Sequence, residues 1–377
     1  MITAYLKRAY SSFAAHVFDV PPRLLAFLLF VLHLVLPVAK PDPFIQLTVF
    51  DIFFLAAFAA SWDLLVGRSG QISLGHALFF GIGGYTTGIL SVNLGLAPWI
   101  TIPLAVLVGV SASLLIGLPC SRVKGPYLAL VTMALPLILV QLFKLDLLLP
   151  ITGGEAGVGI LLPIIPSAFF RMLGFGSRDA IRAVALATYY FALFLVFAAS
   201  VILYKIANSK TGMVFVSILD DELASKACGI NVTRYKLMAL AISSLFAALI
   251  GAIRGHFATI VSPGRFLDLT VSFAPVMVAF LGGIGTIYGP LIGAYIYYTL
   301  DRFVLQKMTQ IPFLAFTDWE HVRFLIFAVI VIVLVIKWPR GIARFVTDKL
   351  HDLEEARDLD ERGKWIWKTY KKRKKKE

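Results

Sequence analysis

Ala97-Pro-Trp-Ile-Thr-Ile-Pro-Leu-Ala-Val-Leu-Val-Gly-Val-Ser-Ala-Ser-Leu-Leu-Ile-Gly-Leu118 contains no charged residue. About 20 apolar residues, rising 1.5 Å each, cross the ~30 Å hydrocarbon core of a bilayer, so this stretch reads as a transmembrane helix. Outward from it, nine more segments read the same way: 24–39, 44–66, 72–90, 126–149, 183–206, 237–260, 271–284, 286–303 and 322–338. Segment 271–284 is too short to span alone. It forms one long apolar run with 286–303, broken by Leu281-Gly-Gly-Ile-Gly-Thr286. A bent or interrupted helix fits such a place when protein or water satisfies the freed backbone groups.

The composition agrees. Of 377 residues, 59% are hydrophobic and 15% charged, whereas a soluble domain has about 45–50% apolar and about 25% charged residues. Collagen, disorder, a disulfide scaffold and an ordinary soluble enzyme are excluded. The expected fold is an all-α integral membrane protein, a polytopic helical bundle of about ten transmembrane helices. The bundle occupies 24–338, after an N-terminal segment 1–23 and before a charged tail 339–377. Leu24 to Leu36 follows Lys7, Arg8 and Arg23 as a signal peptide would, but Pro37 stands where a cleavage site needs a small residue, so it reads as a span.

Basic residues concentrate on the cytoplasmic side of membrane proteins. Lys7, Arg8, Arg23 and the run Lys371-Lys-Arg-Lys-Lys-Lys376 therefore put both termini in the cytoplasm. Two cytoplasmic ends need an even number of spans, and ten is even. Arg68, Arg122 with Lys124, and the loop 207–236 then fall inside, and the segment 150–182 outside. The net charge of +13 includes thirteen basic against eight acidic residues from Arg340 onward, with no nucleic-acid-binding module beside them. That tail reads as a solvated helix; Trp365, Trp367 and the basic run also suit anionic membrane lipid. Cys120 and Cys228 both fall on the reducing cytoplasmic side, so no disulfide is expected.

The loop 207–236 departs from the membrane pattern. Asp220 to Ala227 has good helix formers, with acids in the first turn and Lys226 near the end, as the helix dipole favours. Gly229 supplies the stop. A short helix on the cytoplasmic face is predicted, with Leu223 and Ala227 sharing one side.

Three stretches carry a family resemblance: Gly67-Arg-Ser-Gly-Gln-Ile-Ser-Leu-Gly-His-Ala-Leu-Phe-Phe-Gly-Ile-Gly-Gly-Tyr85, Asp221-Glu-Leu-Ala-Ser-Lys-Ala-Cys-Gly-Ile-Asn-Val-Thr-Arg-Tyr-Lys-Leu237, and Leu281-Gly-Gly-Ile-Gly-Thr-Ile-Tyr-Gly-Pro-Leu-Ile-Gly-Ala-Tyr295. In this order, and with hydropathy that matches from about 44 to 344, the chain resembles the LivM-type permeases of ATP-binding cassette importers for branched-chain amino acids. The resemblance implies a bacterial inner-membrane subunit that works with a second homologous permease, two ATPase subunits and an extracytoplasmic substrate-binding protein. It also implies that the 220–229 segment is a coupling helix docked on an ATPase, with Asp221, Glu222, Leu223, Ala227 and Gly229 serving coupling. ATP and magnesium would be used by the partners, because this chain has no Gly-x-x-x-x-Gly-Lys-Ser/Thr phosphate loop and no cofactor is expected on it. Related permeases for urea and short amides share the motifs, and an ATP-independent secondary transporter is the alternative class.

Other residues admit two readings each. Ser73, Gly75, His76, Gly83 and Tyr85 either line a translocation path or allow close helix packing, and Gly282, Gly283 and Gly285 either hinge two spans or pack them. Asp51, inside a span, is costly unless partnered and reads as a packing or assembly residue. Thr152-Gly-Gly-Glu-Ala-Gly157 is similar to the family's external glycine-rich turn, from which Glu155 departs. The six His show no metal-ligand spacing with Cys, and no nucleophile triad can be placed.

Overall fold

The computed structural model describes residues 30–38, 42–123, 125–159, 162–258, 260–286, 289–301, 319–337 and 341–342. The expectations for 1–23 and for the tail beyond 342 lie outside the described residues. The chain divides into two compact units, Asp42–Gly341 and the two terminal segments Met1–Pro41 and Ile342–Glu377. In the terminal unit, 30–38 is helical. Elements are numbered within the larger unit.

That unit is almost wholly helical. In order it holds α1 (Pro43–Asp63) with a π-helical turn Leu64–Arg68, α2 (His76–Leu94), α3 (Pro98–Cys120), α4 (Pro126–Phe143), α5 (Leu149–Thr152), β1 (Val158–Gly159), α6 (Ser167–Met172) and α7 (Ser177–Ala207). Then follow α8 (Lys210–Asp220), α9 (Glu222–Ala227), α10 (Val232–Ala258), β2 (Ile260–Val261), α11 (Pro263–Phe266), α12 (Leu269–Gly282), α13 (Gly289–Thr299) and α14 (Trp319–Lys337). Among the described residues, seven helices or helix pairs are long and apolar enough to cross a membrane. The protein is a polytopic all-α membrane protein.

Several boundaries differ from the hydropathy reading. Helix α2 starts at His76, not near 72, because Ser73 to Gly75 is irregular backbone that is nonetheless mostly buried. Apolar continuity cannot distinguish such a loop from a helix. Helix α4 ends at Phe143, six residues early, and the 207–236 loop folds into two helices, α8 and α9, instead of one. Segment 271–284 is α12, which α11 precedes to make a 20-residue apolar stretch, Pro263–Gly282. The expected break follows it: Gly283 and Gly285 take φ of 120° and 76°, a region that suits glycine.

Helix α1 with its π-helical turn is central and mostly buried, and α4 is peripheral and mostly exposed. Helix α10 packs on α2, α3 and α1, while α12, α13 and α7 pack on α1. Small residues let these helices approach: a Cβ on Gly83 would collide with the Ala248 carbonyl, and one on Gly251 with that of Phe80. In lipid, such van der Waals contact replaces the hydrophobic drive as the source of helix association. Helices α1 and α10 run antiparallel, since Asp51 meets Arg254 at 2.6 Å and the Ser61 carbonyl accepts from Ser243 Oγ at 2.7 Å. The bundle therefore has two distinct ends. One gathers the N-terminus of α1, the C-terminus of α10 and the β1–β2 pair, in which Val158 faces Val261. The other gathers Arg68, α8, α9 and the break after α12.

Candidate functional site

Helices α8 and α9 are held by local chemistry at every joint. Ser209 caps α8 by accepting from the Gly212 N–H, and Asp221 caps α9 through Oδ1, which accepts from Leu223 N at 2.8 Å and Ala224 N at 3.0 Å. At the far end Gly229, with φ 82°, donates to the Lys226 carbonyl, and Ile230 N–H reaches back to that of Ser225 at 3.1 Å. This pair of bonds is a Schellman stop. The buried Ser225 hydroxyl donates to the Ser217 carbonyl at 2.9 Å and fastens α9 to α8.

Glu222 ties α9 onward to α10, with Oε1 2.8 Å from Lys226 Nζ and Oε2 2.7 Å from Lys236 Nζ. Hydrogen bonds from Lys226 and Lys236 hold its carboxyl at about 2, well below the usual 4.5. Asp221 and Glu222 are thus spent on shaping α9, whereas Leu223, at 72% exposure, Ala227 and Gly229 face outward. An open groove of about 670 Å³ runs beside them, lined by Arg68, Met213, Asp220 and Cys228 among others.

The first and third sequence motifs meet at Asp63, a 4% exposed residue at the end of α1. Its Oδ1 accepts from the Gly285 N–H at 2.7 Å, which joins the α12–α13 break to α1. A Cβ on Gly67 would lie 2.6 Å from both Asp63 Oδ1 and Gly285 N, so this joint requires glycine. Nearby, Trp62 Nε1 donates to the Ser73 carbonyl at 2.7 Å, and Gln71 Nε2 donates to the Lys236 carbonyl at 3.0 Å.

The remaining candidates sit in packing contacts. Gly75 abuts the Thr132 backbone, and Tyr85 is buried against Phe143 at 4.5 Å between ring centroids. A Cβ on Gly282 would strike Gly289, and one on the facing Gly341 would strike Gly283. His76 is fully buried, packs its ring tilted against Phe58 and lies 2.9 Å from Ser61 Oγ through Nε2. Because Ser61 already donates to the Phe58 carbonyl, Nε2 is the donor and the Nδ1 lone pair is left without a partner. His256, on α10, instead has Thr87 Oγ1 2.8 Å and Thr101 Oγ1 3.0 Å from Nε2, and the Leu162 carbonyl 2.9 Å from Nδ1.

At the opposite end lies a cavity of about 730 Å³. Asp51, Arg254, Arg265, Asp268 and Asp301 are the charged residues of its lining; Asp51 and Arg254 pair with each other, and the Arg254 guanidinium also stands 5.7 Å over the Phe50 ring. Phe54, Phe58, Phe80 and Met277 supply apolar lining. Of the charged residues, Asp268 also caps α12 by accepting from Thr270 N at 2.8 Å. On the β1 side the glycine-rich turn holds Glu155 2.7 Å from Lys144, whose hydrogen bond keeps that carboxyl below its usual range. Both cysteines are free, and no cluster of three metal-ligating side chains occurs among the described residues.

The sequence model of the family described as "Branched-chain amino acid transport system / permease component" matches residues 44–334. The chain belongs to this family. The high-affinity branched-chain amino acid transport permease LivM of Salmonella typhimurium is 31% identical over 248 residues, which cover 62% of this chain and 57% of that protein. Its Escherichia coli counterpart is 29% identical over the same shares. The match to the probable LivM of Methanocaldococcus jannaschii is 23% identical over 76% of this chain and 84% of that protein. The chain thus spans just over half the length of the first two relatives. No solved structure matches it.

Within this permease, sequence reasoning missed Asp63, Arg254 and His256 as partners of named features. For Asp63 and Arg254 the signal was available, since an ionisable residue inside a span asks for a partner. Asp51 was flagged on that ground, without Arg254.

Proposed function

We propose that this chain is the permease subunit of an ATP-driven importer for branched-chain amino acids. It pairs with a second permease, takes solute from an external binding protein, and is driven by two cytoplasmic ATPases. The observation that carries this reading is α9. A six-residue helix capped at both ends and fastened to α8 and α10 is a rigid peg, and its outward side offers Leu223 and Ala227 to a complementary groove. A push on such a peg reaches α10 through Lys236 and the centre of the bundle through α10. A loose connector would absorb it.

The test is to assemble the permease with its ATPases and measure hydrolysis stimulated by the loaded binding protein. Ala227→Glu places a charge on the docking side, which would have to be desolvated on docking, so stimulation falls while the fold is kept. Gly229→Val meets open space but must adopt left-handed backbone, at a cost of about 1–2 kcal/mol, and distorts the exit of α9. Copurification is scored separately from turnover. Wild-type stimulation and uptake in both variants would reduce α9 to a connector, and uptake by this chain alone without ATP would reject the ABC class.

A further inference from the structure

We infer that the cavity at the end opposite α9 is a binding vestibule for an aliphatic α-amino acid zwitterion, with Arg254 taking the carboxylate and Asp51 the ammonium. The inference rests on the permease reading above, because placing α9 in the cytoplasm turns this cavity to the outside, where solute arrives.

Three observations converge on it. A volume of about 730 Å³ lies within the ~300–1,000 Å³ typical of small-molecule sites. Of the three Asp and two Arg that line it, Asp51 and Arg254 pair directly, at 2.6 Å, between two membrane-spanning helices. Both charges remain partly accessible, with Asp51 16% and Arg254 35% exposed. An α-amino acid carries its ammonium and carboxylate on a single carbon, so both groups can address two adjacent opposite charges. Insertion replaces one ion-pair contact with two charge-assisted ones, and the planar guanidinium suits a bidentate carboxylate. Phe54, Phe58 and Met277 then offer an apolar surface to a branched side chain. Urea, which is neutral and has no aliphatic part, uses neither the charges nor this floor. The pair is therefore a selectivity element as well as a structural one.

Equilibrium binding of radiolabelled leucine to the purified permease–ATPase complex, without the external binding protein, tests the site. Competitors are leucinamide, which lacks the carboxylate, and 4-methylpentanoate, which lacks the ammonium. Wild type should prefer leucine to both. Arg254→Gln should weaken leucine binding about tenfold or more, as loss of a charged hydrogen bond does, and abolish the preference over leucinamide only. Asp51→Asn should abolish the preference over 4-methylpentanoate only. Arg254→Lys keeps the ion pair and the fold while losing the bidentate fork, so it carries the test if Arg254→Gln does not assemble; it should bind leucine more weakly with discrimination retained in part. A merely structural pair would change assembly without this matched loss of discrimination.

The site is overturned if wild type binds leucinamide as tightly as leucine, or if assembled Arg254 variants keep wild-type affinity and discrimination. ATP-driven leucine uptake by the same wild-type preparation is measured in parallel. Uptake with a failed binding test refutes the vestibule and leaves the permease reading standing. Absence of ATP-driven uptake refutes the permease reading whatever the binding assay returns.

Discussion

The two ends of the bundle are built on different principles. At the α9 end, groups meet at backbone level: Asp63 on the Gly285 N–H, Gln71 on the Lys236 carbonyl, Gly67 against Gly285. At the other end, charged side chains surround open volume. A clamped end suits the transmission of force, because packed contacts cannot deform gradually. An open, charged end suits a diffusing solute. All three sequence motifs contribute to the clamped end, whereas Asp51, Arg254 and Asp268 lie outside them.

If the clamped end depends on close backbone approach, a single added side chain should break it. Gly67→Val is expected to have the largest effect. Its Cβ alone falls 2.6 Å from Gly285 N and 2.8 Å from Gly285 Cα, and backbone cannot rotate away as a side chain can. Overpacking of this kind costs about 3 kcal/mol, and the expected result is loss of detergent-stable protein, scored by size-exclusion chromatography and thermal aggregation. A Gly67→Val protein of wild-type stability would show that the break after α12 moves freely against α1.

A smaller effect is expected when the bond is removed without adding bulk. Asp63→Ala leaves the half-buried Gly285 N–H unpaired, at about 1–3 kcal/mol, whereas Asp63→Asn retains an acceptor and should cost less. The ordering of midpoints, wild type above Asn above Ala, is the measurement. Equal midpoints for Asn and Ala would mean that the bond does not hold the joint.

Legibility in the sequence divides along the same line. Helix α9 was readable because each of its determinants is local: Asp221 lies two and three residues from the N–H groups it caps, and Gly229 stands just past the last turn. The break at Gly283 was readable because glycines interrupt an apolar run. Asp63 and Gly285 are 222 residues apart, and Asp51 and Arg254 are 203 apart, so no spacing rule could pair them. Ser73 and Gly75 were placed inside a span because buried irregular backbone and buried helix have the same hydropathy. The coarse bundle thus followed from composition, but the joints that give its two ends their character are tertiary.

The smallest effect separates the two kinds of fastening within the clamped end. Glu222 ties α9 to α10 electrostatically, whereas Ser225 and the Gly229 turn hold it through neutral hydrogen bonds. Lys226 and Lys236 depress the Glu222 carboxyl from 4.5 to about 2. A depressed carboxyl contributes stability above its unfolded value and loses it as pH falls through the folded one, so the tie should loosen between about pH 4.5 and about pH 2. Because the groups are partly solvated, the contribution is below about 1 kcal/mol. A spin label on the exposed Cys228, at the end of α9, reports it. Mobility should rise over that window in wild type, while Glu222→Gln should be mobile already at neutral pH and show no rise there. If Glu222→Gln is as immobile as wild type at neutral pH, the Asp221 cap and the neutral hydrogen bonds hold the peg without Glu222. The path of force from α9 would then run through α8 and Ser217 instead of Lys236.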